Sequence, residues 1–247
     1  MSARIALVTG GTRGIGAAIS RRIAAEGIHV AAVYANNAGS AAELRDELTA
    51  AGSAVSVHRC DVGDAAACRA LIDEVSRMHG PVTYLVSNAG LLEEARLADT
   101  SEELWQRAVD VNLSAAFHLA KAAWTGMTEA GFGRIVTIGS VTAAMGNSRE
   151  IAYGAAKAGL IGLTRSLARA GARHGITANC VVPGVFDTEM TAGMPERTRD
   201  AIGGLIPLRR VGRPTELAHA VWFLLHEDAA YVTGSVVTVD GGLSMGG

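Results

Sequence analysis

The chain has 247 residues, of which 49% are hydrophobic and 30 are glycine, and its formal net charge is −2. That length suits one α/β domain with a substantial core, and so slight a charge offers no broad attraction for nucleic acid or an anionic membrane surface. No apolar run reaches the ~18 residues of a membrane span, the opening Met1-Ser2-Ala3-Arg4-Ile5 has no secretory pattern, and three cysteines (Cys60, Cys68, Cys180) without a C-x-x-C pair read as reduced thiols of a cytoplasmic protein.

Short apolar runs alternate with alanine-rich amphipathic stretches along the chain. Strands are predicted near 4–9, 29–34, 54–60, 82–87, 133–139, 176–182 and 235–239, and helices near 15–26, 40–51, 64–78, 101–130, 152–174 and 214–226. That alternation predicts a parallel, doubly wound, Rossmann-like sheet of about seven strands with helices on both faces, in one domain over 1–247. A ligand then belongs at the carboxyl ends of the strands.

The first strand runs into Gly10-Gly11-Thr12-Arg13-Gly14-Ile15-Gly16 and then a helix. Strand, glycine-rich turn and helix in that order is the context a dinucleotide site requires. Gly10 permits the tight turn, Gly14 lets backbone approach a phosphate, and Gly16 allows close helix–strand packing. The helix N-terminus offers free N–H groups to a pyrophosphate. The second strand ends in Tyr34-Ala35-Asn36-Asn37, without the acidic residue that binds ribose hydroxyls and repels a 2′-phosphate. With Arg13 in the glycine loop, this favours NADP(H) over NAD(H). Asp61, followed by Val62, reads either as an acceptor for the adenine amino group or as a helix N-cap. The small residues of Ser87-Asn88-Ala89-Gly90 let a cofactor lie against the chain. Asn112, a poor helix former, is either an exposed helix residue or a kink exposing a backbone carbonyl.

Ser140 follows a β-rich run and stands at a strand's carboxyl end. Tyr153 and Lys157 are four apart in a helical segment, so they share one face. A free phenol titrates near pH ~10, and a nearby ammonium together with a bound, positively charged nicotinamide is expected to lower that value toward the range of a working acid or base. Residues 187–210, interrupted by Gly193, Pro195, Gly203-Gly204 and Pro207, are expected to form a lid over the substrate, with Met190, Met194 and Ile206 either as an apolar wall or packing the lid down. Arg149 and Glu150 precede the catalytic helix as a charged pair. The helices at 101–130 and 152–174 carry apolar residues on more than one face, which suggests subunit pairing. The seven histidines show no metal-binding spacing, so no metal is expected.

In order, T-G-G-T-R-G-I-G, D-V, N-A-G, Asn112, Ser140, Y-x-x-x-K and Pro183-Gly184 resemble the short-chain dehydrogenase/reductase family over essentially the whole chain. Within it the chain is most similar to β-ketoacyl-[acyl-carrier-protein] reductases. That closer likeness rests on Gly133-Arg134-Ile135, Ile138-Gly139-Ser140-Val141, Met145-Gly146-Asn147, Lys157 to Gly162, Asp187-Thr188-Glu189-Met190 and Val239-Asp240-Gly241-Gly242. The resemblance implies hydride transfer from NADPH to a ketone, with Tyr153 donating the proton and Ser140 steadying the oxygen. It also implies that Lys157 tunes the tyrosine and binds the nicotinamide ribose, and that Asn112 anchors a proton-supplying water chain. Thr188 would bind the nicotinamide amide, Asn88 and Gly90 would line the cofactor, and Ile138 would back its ring. A cytoplasmic homotetramer is implied. Position 87 is serine where the family usually has asparagine, and Gly171 replaces a residue that is usually acidic. Glu129-Ala130-Gly131-Phe132 and Leu91-Leu92-Glu93-Glu94 lack the positive charge that an acidic acyl carrier protein would prefer, although Arg173-His174 remains. The expected activity is reduction of a 3-oxoacyl thioester linked to a carrier protein or to CoA. An NAD(P)-dependent dehydrogenase or reductase of a secondary alcohol, ketone or polyketide intermediate is the alternative, and a nucleotide-binding sensor without chemistry is the alternative of another class.

Overall fold

The computed structural model describes residues 4–193 and 196–245, and of Met190, Ala192 and Glu196 the backbone alone. In chain order the elements are β1 (Ile5–Thr9), α1 (Gly14–Ala24), β2 (His29–Tyr34), α2 (Ala38–Ala50), β3 (Val55–Arg59), α3 (Ala65–His79), β4 (Val82–Ser87), α4 (Glu102–Val109), α5 (Ala115–Glu129), β5 (Gly133–Ile138), α6 (Thr142–Met145), α7 (Ile151–Gly171), β6 (Ile176–Pro183), α8 (Glu189–Ala192), α9 (Glu196–Leu205), α10 (Pro214–Leu225) and β7 (Val236–Val239). The strands form one parallel sheet in the order β3-β2-β1-β4-β5-β6-β7, the doubly wound architecture that the alternation predicts. No helix among the described residues is long and apolar enough to cross a membrane.

Strand periodicity divides the core into two layers. Ile5, Leu7, Ala31 and Val33 point to one face and pack with Leu71 and Val75 of α3 and Leu119 of α5. Ala6, Val8, Val30 and Ala32 point to the other and pack with Ile19 of α1, Leu44 of α2 and Leu217 of α10. Both faces are covered, so the inner strands read as continuous apolar runs rather than alternating ones.

The strand order reverses direction between β1 and β4, which opens a crevice at their carboxyl ends. Two sequence expectations change here. The single helix near 101–130 is two helices joined by a π-helical turn over Asp110–Ser114, and Asn112 is buried in that turn rather than an exposed helix residue. The cap of α3 is Asp64, whose side chain accepts from the N–H groups of Ala66 and Ala67 at 2.7 and 3.3 Å, not Asp61.

Candidate active site

Helix α1 begins at Gly14 after Arg13, which makes no side-chain cap, so its first N–H groups have no side-chain partner at the helix mouth. Gly10 and Gly14 have φ of +59° and +50°. A Cβ at Gly16 would lie 1.9 Å from the Gly10 carbonyl oxygen, so no side chain fits where α1 meets the loop. The loop is tied to β4 by Asn88, whose Nδ2 donates to the carbonyls of Thr9 and Gly10 at 2.9 and 3.3 Å. Thr9 opens the T-G-G-T-R-G-I-G motif with no role assigned to it by the sequence, yet its Oγ1 accepts from the N–H groups of Asn88 and Ala89, both at 2.9 Å. A hydroxyl residue one place before the first loop glycine was the available signal. Thr12 is buried beneath the same loop.

Around this crevice the remaining expected cofactor residues divide. Ile15, Ala89 and Ile138 pack against the core, and Val62 is buried within it. Asn36 is exposed at the end of β2. Asp61 is half-exposed and accepts two hydrogen bonds from Arg107 Nη2, both at 2.9 Å, and one from the Gly63 N–H. That arginine holds the carboxyl below the usual carboxylate range. Pro183 and Gly184 knit strand ends together: the Pro183 carbonyl accepts from Val141 N at 3.0 Å, and Gly184 N donates to Val239 O at 3.0 Å.

Ser140, Tyr153, Lys157 and Asn112 are brought to the same edge. Lys157 is 3% exposed; its Nζ donates to the Ile138 carbonyl at 2.8 Å and lies 5.5 Å from the centre of the Tyr153 ring. A Cβ at Gly90 would meet that Nζ at 3.6 Å and the Asn112 Oδ1 at 3.1 Å. Asn112 accepts from Leu91 N and donates to the carbonyls of Leu91 and Ala108, at 3.1, 2.9 and 2.9 Å, which fixes the loop after β4. The Ser140 hydroxyl accepts from Thr142 N at 3.2 Å, leaving its own proton to donate.

Among the chain's own groups the electrostatics run opposite to the expected lowering. Burial pushes the Tyr153 phenol above its ordinary value; nearby Ser140 pulls it down and Glu150 pushes it further up. No aligned hydrogen bond joins the Ser140 and Tyr153 hydroxyls among the described residues, so Ser140 acts by proximity. Among the chain's own groups Lys157 does not supply the lowering expected of it: burial brings its pKa to about 8, below that of the phenol, so the lysine has lost its charge before the phenol titrates. The phenol is therefore held protonated at neutral pH.

Arg149 and Glu150 do not pair with each other. Arg149 Nε reaches Glu94 at 2.9 Å, and Glu150 accepts from Thr142 Oγ1 and Asn147 Nδ2. Over the crevice, the chain after β6 leaves and returns at one point, where Asp187 N donates to Gly212 O and Gly212 N to Val185 O. Thr188 lies above Gly14, where an added Cβ would meet its Cγ2 at 3.6 Å, and Glu189 faces Arg13 at 3.7 Å. Ile206 is buried and packs this segment down. The side chains of Met190 and Met194 lie outside the described residues.

A family model described as enoyl-(acyl carrier protein) reductase matches residues 10–244. The chain belongs to the short-chain dehydrogenase/reductase family. It is 42% identical to the acetoacetyl-CoA reductase of Rhizobium meliloti over 97% of this chain and 98% of that protein. To the 3-oxoacyl-[acyl-carrier-protein] reductase MabA of Mycobacterium tuberculosis it is 41% identical over 98% and 94%. Among solved structures, a blue fluorescent protein from a metagenomic library in complex with NADPH matches with a TM-score of 0.91 at 38% identity, covering 98% of each chain. As a short-chain dehydrogenase/reductase this chain is an oxidoreductase.

Proposed function

We propose that the chain is an NADPH-dependent ketoreductase that converts a 3-oxoacyl thioester to its 3-hydroxyacyl form. The observation that carries this reading is the placement of Tyr153 and Lys157, one helical turn apart, beside Ser140 at the same strand edge as the glycine loop. The site fits a dinucleotide: Gly16 has no room for a side chain, the mouth of α1 is free of a side-chain cap, and the end of β2 has no carboxylate. When bound, the cofactor supplies the hydride.

Tyr153 donates its hydroxyl proton to the ketone oxygen, and the raised phenol pKa keeps that proton in place at neutral pH. Ser140, which accepts from Thr142 N on one of its two lone pairs, donates its hydroxyl proton to the same oxygen as negative charge develops there. Lys157 spends one proton on Ile138 and has two more for ribose hydroxyls and for the phenol's environment. Asn112 positions Leu91 and with it the floor of the site. Thr188 and the segment 187–210 act as a lid whose first turn brings Glu189 to face Arg13 of the glycine loop. Exposed Trp105 and Phe117 on α4 and α5 support pairing of subunits, for which a monomer in sedimentation would be contrary.

The names of the relatives support both CoA and carrier-protein thioesters, while the family model's description raises reduction of a carbon–carbon double bond. NADPH oxidation should be followed with acetoacetyl-CoA, a 3-oxoacyl carrier protein, crotonyl-CoA and simple ketones. The reading expects the two 3-oxo thioesters to give the highest kcat/KM. Turnover of crotonyl-CoA or of a simple ketone in their place overturns it.

A further inference from the structure

NADPH differs from NADH by the phosphate on its adenosine ribose, and in a sheet of this order that ribose belongs at the carboxyl end of the second strand. Here that end holds Tyr34, Ala35, Asn36 and Asn37. The sequence offers Arg13 as the cation for this phosphate, but Arg13 leans toward Glu189 of the lid.

The third strand brings a second guanidinium to the same place. Arg59 is the last residue of β3 and is registered against Tyr34. Alternation along the strand sends His58 toward Glu74 of α3 and Arg59 to the opposite face, which α1 and α2 cover. Arg59 Nε donates to the Ala35 carbonyl at 3.1 Å. That bond fixes the guanidinium beside the end of β2 and leaves Nη1 and Nη2 free of it. Arg59 is exposed and has no carboxylate partner among the described residues. An arginine held by its Nε at a strand end, with its fork open, is suited to bidentate contact with a phosphate. Helix α2 begins directly beyond, at Ala38, with no acidic residue in its first turn, so its N-terminal partial charge has the same sign as the arginine.

We propose that Arg59 is a specificity-determining residue that grips the 2′-phosphate of NADPH. This rests on the reading that NADPH is the cofactor. Binding of NADPH, NADH, 2′,5′-ADP and 5′-AMP should be measured by titration calorimetry on the parent, on Arg59→Gln and on Arg59→Lys.

The parent is expected to bind NADPH and 2′,5′-ADP more tightly than their unphosphorylated counterparts. Arg59→Gln should weaken the two phosphorylated ligands by about tenfold or more, the loss of one charge-assisted contact, and leave NADH and 5′-AMP unchanged. Arg59→Lys should restore part of the loss, because charge returns without the fork. A parent that prefers NADPH together with an Arg59→Gln variant that keeps the full preference overturns this inference and leaves the cofactor reading standing. Equal weakening of all four ligands also overturns it, because the arginine would then merely tie β3 to Ala35. A parent that binds NADH as tightly as NADPH overturns both.

Discussion

Replacing Lys157 by methionine removes an ammonium that is 3% exposed and whose pKa burial lowers from 10.5 to about 8. That displacement corresponds to about 3 kcal/mol by which the folded state disfavours the charged amine. Because the folded value is the lower one, the unfolded chain binds more protons between those two values, and this contribution makes stability rise with pH across that window. Near neutrality the methionine variant of the cofactor-free protein is therefore expected to be the more stable. The gain is up to about 3 kcal/mol, reduced by the lost hydrogen bond to Ile138, and the advantage shrinks by about 1 kcal/mol from about pH 7 to about pH 9. Tyr153 and Cys180 titrate in the opposite sense, since burial raises both and their contributions fall as pH rises. Both groups remain in the variant, so the difference between the two proteins reports mainly the lysine. Urea unfolding at fixed protein concentration across this pH range measures it. A stability difference that does not change with pH refutes the reasoning.

Gly16→Ala places a methyl group 1.9 Å from the Gly10 carbonyl and should weaken dinucleotide binding by about tenfold or more through the forced shift of α1; an unchanged Kd by calorimetry contradicts the cradle. Asn112→Ala strands both backbone groups of Leu91, so unfolding free energy should fall by about 2 kcal/mol and kcat should drop with it; chemical denaturation and steady-state rates check both. Asp64→Ala removes the cap of α3 and should cost about 1 kcal/mol in denaturation without changing kcat/KM. Asp61→Ala breaks an exposed pair with Arg107 and should change stability by less than about 1 kcal/mol.

The parallel sheet was legible because a sheet covered on both faces forces apolar strands, and each β-to-α turn needs small residues. The site was legible where its chemistry depends on local spacing: Tyr153 and Lys157 are one helical turn apart whatever the surroundings. The glycine loop was legible because its backbone geometry excludes side chains. What escaped the reading depends on contacts distant in the chain. Arg107 takes Asp61 from 46 residues away, and Arg59 reaches Ala35 across 24; neither leaves a periodic trace. The helix over 101–130 read as continuous because a π-helical turn keeps helical composition, and Asn112 alone hinted at it. A spacing gives proximity but not burial, and among the chain's own groups it is burial of Tyr153 and Lys157 that sets the direction of their shifts.

The measurement closest to the central claim pairs acetoacetyl-CoA turnover with NADPH binding in the parent and in Tyr153→Phe, which deletes one hydroxyl and keeps the ring. Loss of turnover by about a hundredfold or more, with NADPH affinity within about twofold of the parent, is the predicted result. A phenylalanine variant that reduces acetoacetyl-CoA at the parent's rate would contradict it.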